Sequence, residues 1–261
     1  MYSKRGRKAQ LTLFIIIAVV VVAVVILAII LVPKITGPKK TTSESLDPAV
    51  YISSCVSDPL EEPIKTLSQT GGFSDNENCI YYNNACRHYL CYQEQFFMAC
   101  VNQEPMLKEH IEQELKTELQ KTNTVKKCVD NFAESARRKG YEVAVCDNPQ
   151  FSVNLTLGQI TVPINCQITI VKDETKKYEK IIPSINSRLY DFILTSQEII
   201  LQEINNKDFD PLGYMLRNYW VEVNVFRTSS GSKIFTLTER ENPENQFVFA
   251  VRNYVTPPGI S

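Results

Sequence analysis

From Leu11 to Val32 the chain runs for 22 residues without a charge, and Thr12 is the only polar side chain among them. At ~1.5 Å of rise per residue, a helix of that length crosses a hydrocarbon core of ~30 Å. The segment exceeds the apolar core of about 7 to 15 residues of a cleaved secretory signal, and it ends in Val32-Pro33-Lys34 with no small-x-small cleavage site. It therefore predicts an uncleaved, single-pass signal-anchor at residues 11–32. Lys4, Arg5, Arg7, Lys8 and the terminal amine precede the segment, against Lys34, Lys39 and Lys40 after it. Positive charge is retained on the cytoplasmic side, so residues 1–10 are expected inside and everything beyond the membrane outside.

Setting aside the seven Lys/Arg before Thr41 leaves 21 basic against 29 acidic residues, a net charge of −8. An acidic soluble part offers no electrostatic footprint for nucleic acid. The partners implied are the bilayer, through residues 11–32, and a protein or glycan at the cell surface. Oligomeric state is not readable from the chain.

All eight cysteines, Cys55, Cys79, Cys86, Cys91, Cys100, Cys128, Cys146 and Cys166, lie beyond the apolar segment. An even number in an outward-facing part predicts disulfides, which persist in oxidising compartments. Two pairings have a physical rationale. Cys55 and Cys128 each stand beside a valine on an apolar helical face, and Cys146 and Cys166 flank the start of the sheet. The other four are left unassigned. Cys86-Arg-His88-Tyr-Leu-Cys91 with Cys79 and Cys100 offers zinc-type donors, but it holds no Cys-x-x-Cys pair, so bridges are preferred and neither metal nor cofactor is expected. Asn154-Leu-Thr156 is a glycosylation sequon, consistent with the same compartment.

Pro33, Gly37 and Pro38 followed by a polar run make residues 33–46 a linker. Asp47 as N-cap and Pro48 at the first helical position start a helix with Val50, Tyr51, Cys55 and Val56 on one side. Pro59 and Pro63 should break or bend it, and Gly71-Gly72 should stop it. Residues 73–104 hold four cysteines and many aromatics without a period, and read as a stapled irregular excursion. Met106 to Arg138 is helical in spacing up to Lys139-Gly140, so residues 47–146 are expected to be a Cys-rich, mainly helical region.

Residues 147–261 change period. Phe151 to Leu157 and Ile160 to Ile170 alternate about Gly158-Gln159, predicting a β-hairpin with one buried face, with Pro163 at an edge or bulge. Ser184 to Ile204 returns to helical spacing and should cover that sheet. Tyr219–Arg227, Lys233–Arg240 and Gln246–Asn253, joined by Ser229-Ser-Gly-Ser232 and Glu241-Asn-Pro-Glu-Asn245, predict a three-stranded antiparallel meander. The fold class is thus α+β: a transmembrane helix, a Cys-rich mainly helical part, then an antiparallel sheet built as hairpin, helix and meander. A soft boundary is placed near Cys146 to Asn148.

Lys8-Ala-Gln-Leu11 before a long apolar run resembles the prepilin-type (class III) signal of archaeal secreted subunits, in which a peptidase cuts after the small residue. Arg7 to Ile15, Ser54-Cys55-Val56, Gln69-Thr70-Gly71-Gly72-Phe73 and Tyr81-Tyr82 together resemble uncharacterised membrane-anchored extracytoplasmic proteins of small-genome archaea. Thr70 separates Gln69 from the glycines, Pro59 and Pro63 interrupt the helix, and Cys79 to Cys100 has the look of an insertion. The resemblance implies a location and a processing site between Ala9 and Gln10. It implies no chemistry.

Catalytic signatures are sparse. Ser230-Gly-Ser-Lys233 and Ser74-Asp-Asn76 match two motifs of acyl-serine penicillin-binding enzymes, but in the reverse order and with the first in a hairpin turn. Only His88 and His110 are available as neutral-pH bases, and a hydrolase would require one of them to meet an acid and a nucleophile. Asp208-Phe-Asp210 supplies too few oxygen donors for a recognisable Ca²⁺ loop. Tyr214, Tyr219, Trp220 and Phe226 divide between core packing and a contact face. The expectation is a non-enzymatic surface protein acting through binding or structural contacts. A pilin-like filament subunit is the alternative, and a membrane-tethered hydrolase is a second one.

Overall fold

A computed structural model describes residues 47–206 and 208–257. The membrane segment 11–32, the flank 1–10 with its Ala9–Gln10 junction, and the linker 33–46 lie outside the described residues. Among the described residues no helix is long and apolar enough to cross a membrane.

The first helix, α1 (Pro48–Ser57), begins as its sequence dictates, with the Asp47 side chain accepting a hydrogen bond from the Ala49 N–H at 2.9 Å. Its buried stripe is Pro48, Ile52 and Val56, spaced four apart, so Val50 and Tyr51 point outward, contrary to expectation. Pro59 sits in a 3₁₀ turn (Asp58–Leu60) that bends the chain into α2 (Glu61–Gln69). Pro63 falls in the first turn of α2, where a missing N–H is tolerated, so it breaks nothing. Gly71 and Gly72 both take positive φ and end the helix.

Residues 73–104 are not an irregular excursion. Strand β1 (Cys79–Tyr82) turns through Asn83 and Asn84, both at positive φ, into β2 (Ala85–Tyr92), and β3 (Val101–Asn102) pairs with the end of β2. A two-residue loop with two left-handed asparagines is the tight hairpin connection that matches strand twist. From Cys86 to Cys91 every residue of β2 is buried. A strand buried on both faces shows no alternation, and Arg87 and His88 interrupt its apolar run, which explains why periodicity does not reveal it.

Met106 to Arg138 divides into α3 (Leu107–Lys121) and α4 (Thr124–Arg138) at Asn123, which is left-handed. Leu107, Ile111, Leu115 and Leu119 form the buried stripe of α3; Val125, Cys128, Val129, Phe132, Ala133 and Ala136 carry that of α4.

In the second half, β4 (Glu142–Ala144), β5 (Gln150–Phe151), β8 (Ile164–Val171) and β9 (Thr175–Ile181) make one sheet. A second small sheet consists of β6 (Asn154–Thr156), β7 (Gln159–Thr161) and β10 (Ser184–Asn186). The hairpin expected over 151–170 is therefore divided. Val162 donates to Pro183 and the Pro163 carbonyl accepts from Ser152, so the chain leaves one sheet and enters the other at the proline. The edge strand β9 carries Lys176, Lys177 and Lys180 toward solvent, a composition that blunts edge pairing and hides the strand from a hydrophobic pattern.

Helix α5 (Leu189–Asn206) follows β10, so the first residues of the expected helix are a strand instead; a short α6 (Pro211–Arg217) comes next. The meander is as read: β11 (Val221–Arg227), β12 (Ser232–Glu239) and β13 (Gln246–Arg252) pair antiparallel in sequence order. Then β13 pairs in parallel with β2, giving the order β1-β2-β13-β12-β11. Helices α2 and α5 pack against β13, over a core that includes the fully buried Phe235, Phe247 and Phe249. The described residues from Asp47 onward fall in one compact unit, and the soft boundary near Cys146 to Asn148 lies inside it.

Candidate functional site

The eight cysteines form four bridges. Cys55–Cys128 joins α1 to α4 across 73 residues of sequence, and Cys146–Cys166 ties the segment before β5 to β8. Cys79–Cys86 staples the β1–β2 hairpin, and Cys91–Cys100 closes the excursion between β2 and β3. No cysteine is free. Asn154 of the sequon stands half-buried on β6, with Thr156 exposed beside the turn.

His88 and His110 converge on one ring. Phe73 stacks on His88 at 4.4 Å and meets His110 at the same distance. Nε2 of His88 lies 2.9 Å from the Asp75 carbonyl and 3.4 Å from its carboxylate, while Nε2 of His110 is buried without a protein hydrogen-bond partner. The neighbouring Ser74 hydroxyl donates to Glu114 at 2.6 Å. A hydroxyl, a carboxylate and two imidazoles thus share a neighbourhood, but the serine is committed to the glutamate and not to a histidine.

Asp208 and Asp210 face different partners. Asp210 caps α6 by accepting from the Gly213 N–H. Asp208 turns to Lys233 and Arg227. Among the described residues no group of three His, Cys, Asp or Glu side chains is arranged to hold a metal ion.

Among the described residues a buried polar constellation surrounds Lys233, the lysine of the Ser-x-x-Lys match. Ser230 stays in the β11–β12 turn, sharing a hydrogen bond with Thr228 at 2.9 Å. Lys233, on β12, is only 5% exposed. Its Nζ donates to Glu203 Oε1 and Oε2 at 2.8 and 2.7 Å and to Asp208 Oδ1 at 2.6 Å. Glu203, from α5, is fully buried, and its carboxylate also accepts from the Phe209 N–H at 3.0 Å and from Asn253 Nδ2 at 3.5 Å. Asn253 in turn accepts from the Cys100 N–H at 2.7 Å, which ties the cluster to the Cys91–Cys100 loop. Arg227 Nη2 reaches both Asp208 oxygens at 3.0 and 2.9 Å. Burial pushes the Asp208 carboxyl up, but the hydrogen bonds and charges of Lys233 and Arg227 outweigh it and hold it below the usual value.

No sequence motif points to Lys233 and Glu203 as a pair. A signal does exist: Glu203 continues the buried stripe of Ile193, Ser196, Ile199 and Ile200 on α5, and Lys233 precedes Phe235 and Leu237 on one face of β12. A charge at a buried position on each of two elements predicts that the two meet.

A surface cleft of about 290 Å³ lies between α2, the start of α5 and the β12–β13 turn, with Glu61, Lys65, Gln69, Asn186, Arg188 and Asn245 among its walls. Arg188 donates to Glu239 at 3.1 Å and to Asp191 at 3.2 Å, and its guanidinium lies 5.6 Å from the centre of the Trp220 ring. The hydrogen bond to Glu239 raises the Arg188 pKa further. Behind the cleft, Arg87 is 6% exposed and donates to the backbone and side-chain carbonyls of Gln69. Of the aromatics singled out in the sequence, Tyr214 is buried and donates to Thr195, whereas Tyr219 and Phe226 are exposed.

Compared with known protein families, curated proteins and solved structures, the chain matches none.

Proposed function

We infer that this chain is a single-pass, membrane-anchored surface protein whose folded part, outside the cell, serves a binding or structural role. One observation carries the reading: all eight cysteines, every one of them beyond the apolar segment, are paired. Thiols at these spacings stay reduced in a cytosolic compartment, so a four-bridge domain belongs on the oxidising side of the membrane. The amide- and charge-lined cleft beside Arg188 is where a polar ligand would sit. Protease treatment of intact cells tests the reading: the domain should be shed to the medium side while the first residues stay protected. Complete protection of the domain until the cells are lysed would sink it.

The resemblance of Lys8-Ala-Gln-Leu11 to a prepilin signal supports a second reading, a filament subunit cut between Ala9 and Gln10. Pro33, Gly37 and Pro38 weigh against it, because a filament spine runs as one long helix into the head. The mass of the native N-terminus separates the two: Gln10 as first residue favours the filament, and an intact or Met-trimmed terminus favours the anchor.

A further inference from the structure

The geometry points to an intramolecular isopeptide bond between the Lys233 side-chain nitrogen and the Asp208 side-chain carbonyl carbon, formed with Glu203 as the proton carrier. Nζ lies 2.6 Å from Asp208 Oδ1, which puts it within reach of the carbon bearing that oxygen, and 2.7 Å from Glu203 Oε2. Lys233 and Glu203 are almost completely buried, and Phe209, whose N–H donates to Glu203, packs its ring on Phe235 at 6.1 Å, which in turn stacks on Phe249 at 5.3 Å. Reacting groups held together this way reach effective molarities of up to roughly 10⁵ to 10⁸ M, which lowers the barrier to a condensation that free groups in water undergo very slowly.

The step balances without a co-reactant. Glu203 takes a proton from the Lys233 ammonium and passes it to an Asp208 oxygen, and the freed nitrogen lone pair attacks the carbon of the carboxyl group so neutralised. The oxyanion that develops there faces the Arg227 guanidinium, which already contacts both Asp208 oxygens. One Asp208 oxygen then departs as water, carrying the proton from Glu203 and a second from the nitrogen. Glu203 ends as the carboxylate it was at the start. The product is a neutral amide, so one positive and one negative charge vanish together, leaving Glu203 and Arg227 to balance each other. Burying ions carries a desolvation penalty that burying a hydrogen-bonded amide largely avoids, which favours the condensed state. Asp208 is 55% exposed at its side chain, so the water released has a way out. The bond would join the α5–α6 connection to the central sheet, beside the Cys91–Cys100 loop that Asn253 links to Glu203.

Mass spectrometry of the full chain, purified in detergent and fully reduced, tests this directly. The expected result is a mass lower by one water than the sequence requires. Trypsin cutting at Lys207, Arg217, Arg227 and Arg240 should leave residues 208–217 joined to residues 228–240 as one branched peptide, with no cleavage after Lys233. Asp208→Ala, at a half-exposed position, should restore the full mass, and Glu203→Gln should leave most molecules uncondensed. Full mass in the unmutated chain with Lys233 in a linear peptide overturns the proposal. So does a water loss that persists in Asp208→Ala, since the loss then arises elsewhere. Should Glu203→Gln fail to fold, the branched peptide of the unmutated chain still decides the matter.

Discussion

The rings of Tyr82 and Phe226 lie 4.9 Å apart, although they belong to β1 and β11, the first and last strands on the path of the main sheet. A flat sheet would hold those strands far apart, so the sheet must curl until its outer strands approach at one end. Aromatic pairs of this kind contribute about 0.5 to 1.5 kcal/mol beyond their area. A double-mutant cycle with Tyr82→Ala and Phe226→Ala, read from urea midpoints, should show a coupling near the lower end of that range because Phe226 is half exposed. Additive effects would mean the rings do not hold the curl.

Cys55–Cys128 connects α1 to α4 and closes the longest loop of the four bridges. Loop-closure entropy makes such a bridge worth about 2 to 5 kcal/mol. Cys55→Ala with Cys128→Ala should lower the unfolding free energy, read from urea denaturation, by an amount in that range, and by more than removing Cys79 and Cys86, whose loop spans 7 residues. Equal losses from the two double variants would contradict the entropic account.

Gly72 stands where α2 stops against α3. Its φ is +98°, and a Cβ there would approach the terminal carbons of Ile111 and Leu107 to 2.8 and 2.9 Å. Both backbone strain and overpacking oppose a side chain, each at about 1 to 3 kcal/mol. Gly72→Ala should therefore lower the melting temperature clearly. Gly158→Ala, whose Cβ would meet nothing within 4 Å, should show the strain alone and a smaller drop.

Burial holds the Tyr214 hydroxyl above its ordinary pKa, offset in part by its hydrogen bond to Thr195 at 3.1 Å. A proton bound more tightly in the folded chain stabilises it fully below the unfolded value of ~10, and that contribution is lost as pH rises through the higher folded value. Tyr214→Phe should cost about 0.5 to 1.5 kcal/mol near neutral pH through the lost hydrogen bond. Urea midpoints measured from about pH 8 to 11 should then fall less steeply for the variant than for the parent chain. Parallel curves would show that Tyr214 ionises no differently in the folded state.

Local sequence signals were reliable where one residue type has one physical use. Asp47-Pro48 starts α1, Gly71-Gly72 ends α2, and the turn compositions at 229–232 and 241–245 separate β11, β12 and β13. The pairings Cys55–Cys128 and Cys146–Cys166 also follow from the sequence, because each partner sat on a predicted apolar face or strand start. The Ser-x-x-Lys match marks a hairpin turn, as its composition indicates. Its lysine nevertheless lies in a buried polar cluster with Glu203 and Asp208, which no motif describes.

By itself, then, the sequence determined the α+β class, most helix positions, the antiparallel meander and the presence of bridges, since each rests on periodicity or on a cap within a few residues. Only the tertiary structure decided that β2 runs parallel beside β13, that Pro163 sends one expected hairpin into two sheets, and that Glu203 of α5 meets Lys233 of β12. Those depend on which buried faces find each other across long stretches of chain. A strand covered on both sides loses the alternation that would announce it, and a buried charge declares only that a partner exists, not where along the chain it lies.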